Sequence, residues 1–375
     1  MKKLLASLLA LLLIASLCAC SNEQDNEDDW NDDFQQNDEK VDHIEMGNAY
    51  NEVFYFEAID TETVTITGYQ AVDAPHVMKI PEKLDGKTVV AISDRAFYFC
   101  SKINGVEFPS TLTEIGKEAF TGCALIESLT IPAQITSVGE LAFQGCTALK
   151  TLTFAAGCAA QIGQYAFIDC NSLKSVTIPG TIKAVAAGTF FECLALETVV
   201  IEEGVEVIGS QAFQKCTALQ SLTLPASVAS IGSYAFSGCE ALTKVTLPEG
   251  LTALPEGLFN GCKKLAAITI PASVTTIGNY AFSVCTNLGN VTIPSSVATV
   301  GSYAFSNCDS FTAITIPGTV ISVGDSVLAN CDNLATIEIG NGLVTIGTGA
   351  FSSNPKLTSI TLPNTLVTLS QSMLY

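Results

Sequence analysis

Cysteine offers the most varied chemistry in this sequence, because a thiol can form a disulfide, bind a metal or attack an electrophile. The chain has 14 cysteines among 375 residues. Eleven of them recur at steps of 23 or 24 residues, and we call them the cysteine column: Cys100, Cys123, Cys146, Cys170, Cys193, Cys216, Cys239, Cys262, Cys285, Cys308 and Cys331. Such spacing requires a repeated structural element that positions each thiol.

The spacing of the column restricts what these thiols can do. Stacked coils would bring neighbouring Cα atoms to about 5 Å, which a disulfide permits. Identical side chains in a ladder point in parallel, however, and an odd number cannot pair completely. We therefore expect a buried column of reduced thiols, with disulfides as the alternative. No C-x-x-C motif or histidine partner accompanies the column, so no metal site is predicted.

Other residues with catalytic potential are few. The two histidines, His43 and His76, have no nucleophile that the sequence identifies, and HExxH, GxSxG and GxGxxG motifs are absent from the sequence. Gly86-Lys87-Thr88 resembles the end of a P-loop, but Pro81 occupies the position of the required glycine. We predict neither an enzyme nor a cofactor. The net charge of -20, without clustered Lys or Arg, argues against nucleic-acid binding.

A phenylalanine column shows the period of the repeat most clearly. Its twelve members, one of them a leucine, are Phe97, Phe120, Phe143, Phe167, Phe190, Phe213, Phe236, Phe259, Phe282, Phe305, Leu328 and Phe351. Every step is 23 residues except one of 24. This period lies within the range of about 20–29 residues that is typical of leucine-rich repeats.

The repeating unit reads C-x-x-L-x-x-V-x-I-P-x-x-V-x-x-I-G-x-x-A-F-x-x. In one copy, Leu222-Thr223-Leu224 alternates as a strand does, and Pro225 ends that strand. Gly232 is expected to permit a turn that a Cβ would strain. The Ala-Phe segment is expected to form a short helical or 3-10 turn. The predicted fold is a repeat solenoid, mostly β, with about twelve 23-residue coils forming one parallel sheet.

The A-F-x-x-C, L-x-x-V-x-I-P and V-x-x-I-G segments resemble the BspA-like leucine-rich repeat family over about residues 64–375. The resemblance implies a bacterial surface protein, with many members linked to adhesion and host matrix proteins. In leucine-rich repeats the cysteine position accepts Asn or Cys, which caps backbone groups in the turn.

The N-terminal segment has the features of a secretion signal. Lys2 and Lys3 precede an apolar run, and Leu17-Cys18-Ala19-Cys20 resembles a bacterial lipobox. That resemblance implies cleavage before Cys20 and lipidation of its sulfur, and the alternative is a plain signal peptide. We predict a signal peptide at 1–19, an acidic disordered tether at 20–50, capping strands and a first coil at 51–90, and the solenoid at 91–375.

Two rows of side chains are the predicted ligand-binding positions. The first is outward-facing at mid-strand: Thr223, Thr246, Thr269, Thr292 and Thr315. The strand preference of threonine explains this row equally well, and ice binding is a weaker alternative. The second row, two residues before the phenylalanine column, includes Tyr234, Tyr280 and Tyr303. These rings could anchor a partner or simply cover the edge of the core.

We predict a lipid-anchored protein on the outer face of a bacterial cell envelope that binds a host or neighbouring-cell protein or glycan. Adhesion is the leading role. A passive structural element of the envelope and an accessory module that presents substrates are the alternatives.

Overall fold

The computed structural model describes residues 42–46, 52–70, 75–369 and 373–374. These residues form a parallel β-solenoid of about thirteen turns, and they include no helix. Within the described ranges, no helix reaches the length and hydrophobicity that a membrane crossing requires. The solenoid confirms the predicted repeat architecture, but its coils form two parallel ladders rather than one sheet.

The first of these, the long ladder, contains the strand that precedes the proline position of the repeating unit. Its strands are β4 (His76–Lys79), β7 (Ile103–Glu107), β9 (Ser128–Ile131), β11 (Thr151–Phe154), β13 (Ser175–Ile178), β15 (Thr198–Ile201), β17 (Ser221–Thr223), β19 (Lys244–Thr246), β23 (Ala313–Ile316), β25 (Thr336–Ile339) and β27 (Ser359–Thr361). Side chains in β9 and β13 alternate between exposed and buried, as a one-sided sheet requires. Residues 267–270 and 290–293 interrupt the ladder because they are not in strands.

The second, the short ladder, forms after the proline turn and ends at the position that is glycine in most units. Its strands are β6 (Lys87–Ile92), β8 (Glu114–Ile115), β10 (Ser137–Val138), β12 (Gln161–Ile162), β14 (Ala184–Val185), β16 (Val207–Ile208), β18 (Ser230–Ile231), β20 (Ala253–Leu254), β21 (Thr276–Ile277), β22 (Thr299–Val300), β24 (Ser322–Val323), β26 (Thr345–Ile346) and β28 (Thr368–Leu369). The proline turn separates it from the long ladder.

Antiparallel strands extend the short ladder at the N-terminal side. They are β1 (Asp42–Met46), β2 (Glu52–Ala58) and β3 (Thr63–Gln70), and β5 (Lys83–Leu84) pairs with β6. The order β1-β2-β3-β6 places β3, which contains the VTITGY segment, beside the first coil. Phe54, Phe56, Val64 and Ile66 are buried and cover the apolar interior at this end.

The Ala-Phe segment forms consecutive turns instead of the predicted helical turn. Each of these turns has a left-handed residue two positions before the phenylalanine column, with φ between 51° and 62°, and a second one two positions after it. Phe97 N donates to Ala119 O of the next coil at 2.8 Å, and Phe120 N donates to Ala142 O at 2.7 Å. Bonds to the next coil thus alternate with turn bonds inside the coil, such as Tyr98 N to Arg95 O at 3.0 Å, and this alternation takes the place of a continuous helical ladder.

The repeated glycine is required for close approach between coils rather than for turn conformation. Gly232 lacks a left-handed φ, but a Cβ there would lie 2.3 Å from Ser210 N. Its own N–H donates to Ile208 O at 2.8 Å. The short ladder breaks between β12 and β14 and between β18 and β20. These breaks fall where Ala186 and Pro255 replace the glycine, because Ala carries a Cβ and Pro has no N–H to donate.

The core is a one-dimensional stack of phenylalanine rings. From Phe97 to Phe305, neighbouring rings in the phenylalanine column lie 4.7–5.9 Å apart between centroids, with interplanar angles of 3–20°. All of them are buried. Each ring is therefore covered mainly by the coils before and after it, so a coil depends on its neighbours for its core.

Candidate functional site

The cysteine column is buried and makes a structural hydrogen bond in each coil. From Cys123 to Cys331, every Sγ in the column donates to the backbone oxygen of the phenylalanine in the preceding coil, at 3.0–3.5 Å. The twelve cysteines in the described ranges are buried thiols rather than halves of disulfides. Burial raises the pKa of Cys239 and Cys285 to about 12. Thiolates are therefore scarce at neutral pH, and the column is unsuited to nucleophilic chemistry.

Asn354 occupies the cysteine position in the coil after Cys331. Its Nδ2 donates to Leu328 O at 2.9 Å and to Phe351 O at 2.8 Å. Its Oδ1 accepts from Cys331 N at 2.8 Å. The asparagine thus makes the same bond to the preceding coil as a thiol does, and two more. This supports the interpretation that the column caps backbone groups.

The five threonines predicted on the strand surface are all exposed. Thr223 lies in β17, Thr246 in β19 and Thr315 in β23, and we call these positions together with Thr269 and Thr292 the strand face. Thr269 and Thr292 fall in the interruption of the long ladder. Thr315 Oγ1 lies 3.4 Å from Glu338 Oε2. None of these five threonines lines either of the two open grooves described below.

The tyrosines occupy the left-handed position beside the short ladder. Tyr280 and Tyr303 stack with centroids 4.9 Å apart and an interplanar angle of 2°. Tyr303 is 37% exposed, and Tyr280 is half-buried. Tyr234 instead lies over Gly257, where a Cβ would meet its ring at 2.2 Å, and donates to Glu256 Oε1 at 2.7 Å. The residue one coil later in the column therefore sets the ring position: Tyr234 lies over Gly257, whereas Tyr280 stacks on Tyr303.

An open groove of about 470 Å³ crosses β21, β22 and β24 next to the stacked tyrosines. We call it the hydroxyl groove. Its outward strand side chains are Thr276, Thr299 and Ser322, and Gly278, Gly301 and Gly324 keep its floor low. Sequence reasoning missed this row, although its signal is visible as the residue before each I-G or V-G pair.

Polar groups at the edge of the hydroxyl groove are fixed by bonds between coils. Asn279 Oδ1 accepts from Ser302 N at 2.8 Å, and Ser302 Oγ accepts from Asp325 N at 3.0 Å. Asn279 and Ser302 directly precede Tyr280 and Tyr303. Tyr280 and Tyr303 do not line the hydroxyl groove themselves but directly follow two residues that do, whereas no strand-face threonine lines it.

A second open groove, of about 660 Å³, crosses β6, β8 and β10. It contains the carboxylates of Asp94 and Glu114, and we call it the acidic groove. The left-handed positions beside it are Arg95, Glu118 and Leu141 rather than tyrosines. The two grooves therefore have the same backbone but different chemistry.

The remaining sequence candidates do not assemble a reactive site. Buried His76 bonds through Nε2 to Tyr69 Oη at 2.9 Å. No cluster of three His, Cys, Asp or Glu side chains suited to a metal occurs in the ranges that the structure describes. Cys20, the signal peptide and residues 20–41 of the predicted tether lie outside those ranges. Within the predicted tether, Asp42–Met46 forms strand β1 and pairs with β2.

Comparisons with known proteins agree on one class of repeat. A family model described as "BspA type Leucine rich repeat region (6 copies)" matches residues 80–193, 183–308 and 252–375. No curated protein gives a significant match.

Solved structures with similar folds come from several bacteria. A leucine rich cell surface protein from Faecalibacterium prausnitzii A2-165 is 28% identical, with a TM-score of 0.56 over 82% of this chain and 92% of that one. A leucine-rich repeat protein from Bacteroides ovatus is 25% identical, with a TM-score of 0.55 over 83% and 94%. The pneumococcal vaccine antigen PcpA, 18% identical, shares the fold with a TM-score of 0.60 over 89% and 84%.

Proposed function

The chain belongs to the BspA-type leucine-rich repeat family, and from that premise we propose that it is a surface-displayed binding protein that acts in adhesion or host interaction. The observation that carries this proposal is the hydroxyl groove beside the stacked pair Tyr280 and Tyr303. Exposed aromatics next to fixed polar groups are typical of recognition surfaces. The similarity to a cell surface protein from Faecalibacterium supports display outside the cell.

The proposed partner is a protein or glycan on a host or neighbouring cell. A solenoid suits such partners because its rows of side chains extend across many coils. The test is to measure binding of the full chain to immobilised extracellular-matrix proteins and to a glycan panel. Saturable binding of either class supports the proposal. Absence of binding to both classes would contradict it and favour a passive structural role.

Two threonine variants locate the binding surface within one coil. Thr292→Lys places a charge on the strand face, and Thr299→Lys places the same charge in the hydroxyl groove. Both positions are exposed. Loss of binding in Thr299→Lys alone supports the groove, and loss in Thr292→Lys alone would transfer the function to the strand face.

We also propose that Cys20 carries the lipid anchor, on the basis of its lipobox-like context. In the producing bacterium, the wild-type chain is expected in the detergent phase of a Triton X-114 extract. Cys20→Ser is expected in the aqueous phase or the medium. An unchanged distribution would contradict lipidation at Cys20.

A further inference from the structure

The surface around the hydroxyl groove is unusual in its lack of charge. Residues 265–308 contain no Asp, Glu, Lys, Arg or His over nearly two coils. Along the chain, Lys263 and Lys264 precede this segment and Asp309 follows it. At the groove itself, in the column of Asn279 and Ser302, the flanking residues are Glu256 one coil before and Asp325 one coil after. No basic residue occurs between Lys264 and Lys356. The centre of the groove is thus neutral and its two ends are negative.

The neutral segment coincides with the other distinctive features of this surface. Thr276 and Thr299 of the groove belong to it, as do the stacked rings of Tyr280 and Tyr303. Thr299 Oγ1 lies 3.5 Å from Thr276 Oγ1, so the hydroxyls form a row along the solenoid axis. The acidic groove has the same backbone without either the aromatic stack or the neutral centre.

We propose that the hydroxyl groove binds a neutral, linear polysaccharide that lies along the solenoid axis. This inference rests on the proposed function and names the ligand class of the same site. Hydroxyl and amide groups of the groove can exchange hydrogen bonds with sugar hydroxyls, and the tyrosine rings offer apolar edges to sugar C–H groups. Coils repeat every ~4.8 Å, close to the length of one sugar ring in an extended chain.

Charge and backbone pairing argue against other occupants. An anionic glycan would find no cation in the neutral segment and would meet carboxylates at both ends. An extended peptide that adds to a sheet needs a free strand edge. Along the groove β21, β22 and β24 already pair with one another, so that edge is occupied.

Affinity electrophoresis of the full chain tests the proposal. Native gels would contain neutral polysaccharides (a β-1,3-glucan, a β-1,4-glucan ether, a galactomannan or soluble starch) or the anionic polysaccharide alginate. We expect at least one neutral polymer, and not alginate, to retard migration. Retardation by none of the neutral polymers, or equal retardation by alginate, would overturn the inference.

Matched variants assign the effect to the groove. In Tyr303→Ala we expect the apparent dissociation constant to rise about tenfold, the order of loss seen for a truncated interface aromatic. Thr299→Lys serves as a second variant that leaves the rings intact. Tyr165→Ala lies in the same column six coils away and should bind like the wild type, as should Thr292→Lys. Equal affinity in Tyr303→Ala and Tyr165→Ala would overturn the inference.

The matrix-protein arm separates this inference from the proposed function. Binding to matrix proteins but to no neutral polysaccharide would support the proposed function and contradict the polysaccharide as its ligand. Binding to neither class would contradict both the proposed function and the polysaccharide ligand.

Discussion

Gly232→Ala should destabilise the solenoid far more than its small size suggests. The new Cβ would lie 2.3 Å from Ser210 N and 2.6 Å from Ser210 Cα. The two coils would have to separate by about 1 Å to restore ordinary van der Waals contact. That separation also stretches the 2.8 Å bond from Gly232 N to Ile208 O. Overpacking costs about 1–3 kcal/mol and a lost hydrogen bond about 1 kcal/mol, so we expect a loss of about 2–4 kcal/mol.

Gly250→Ala is the matched control. A Cβ there meets nothing within 4 Å, and its φ lies outside the left-handed region. The same reduction of unfolded-chain entropy should stabilise both variants by about 0.4–1 kcal/mol, so the difference between them isolates the contact. Urea unfolding followed by circular dichroism gives the two midpoints. Equal midpoints would refute the close-approach explanation, including its account of the breaks at Ala186 and Pro255.

Three further predictions concern other positions. The twelve buried thiols should resist alkylation by iodoacetamide at about pH 8 and become reactive in denaturant, because burial raises the pKa of groups such as Cys239 to about 12. Rapid modification of these twelve thiols in the folded chain would contradict the buried column. Burial, and then the charge of Glu192, raises the pKa of Asp169 to about 6. The folded state therefore favours the protonated carboxyl, and the stability that protonation contributes is complete below about pH 4 and is lost as pH rises through 6. Asp169→Asn should therefore stabilise the fold by on the order of 1–2 kcal/mol at about pH 7.5, allowing for solvent screening, and by almost nothing at about pH 4; equal effects in urea titrations at both pH values would contradict this. Asn354→Ala should cost about 1–3 kcal/mol through loss of its three backbone bonds, whereas exposed Asn364→Ala should be neutral in thermal melts; matching melting temperatures would show that the cap is dispensable.

The repeat itself was predictable because each column of similar residues satisfies a packing or hydrogen-bonding requirement that recurs in the coils. Phenylalanine must stack on phenylalanine, and the thiol or Asn354 must reach the backbone oxygen of the coil before it. The left-handed turns were not predictable, since residues as different as Leu141, Tyr234 and Val284 adopt them. Contacts with neighbouring coils hold these conformations against local preference, so no residue type marks them.

Much less of the candidate site could be predicted from the sequence. The sequence indicates Tyr280 and Tyr303 as neighbours on stacked coils, and they do stack. It does not indicate that Tyr234 lies over Gly257, because that arrangement depends on an absent side chain one coil away. The hydroxyl groove was missed for a similar reason. Its depth comes from the glycines that the sequence suggested for a turn.

The hydrogen bonds between coils have a consequence for how such a chain can evolve. The short ladder donates backward, as Gly232 N does to Ile208 O, and the turns donate forward, as Phe97 N does to Ala119 O. Duplicating one 23-residue unit would therefore recreate the original junctions and add one new junction between the two copies, made by the same backbone bonds. No donor or acceptor would be left over. Repeat number can thus drift with little selective cost, while a recognition surface confined to two or three coils moves along the axis intact.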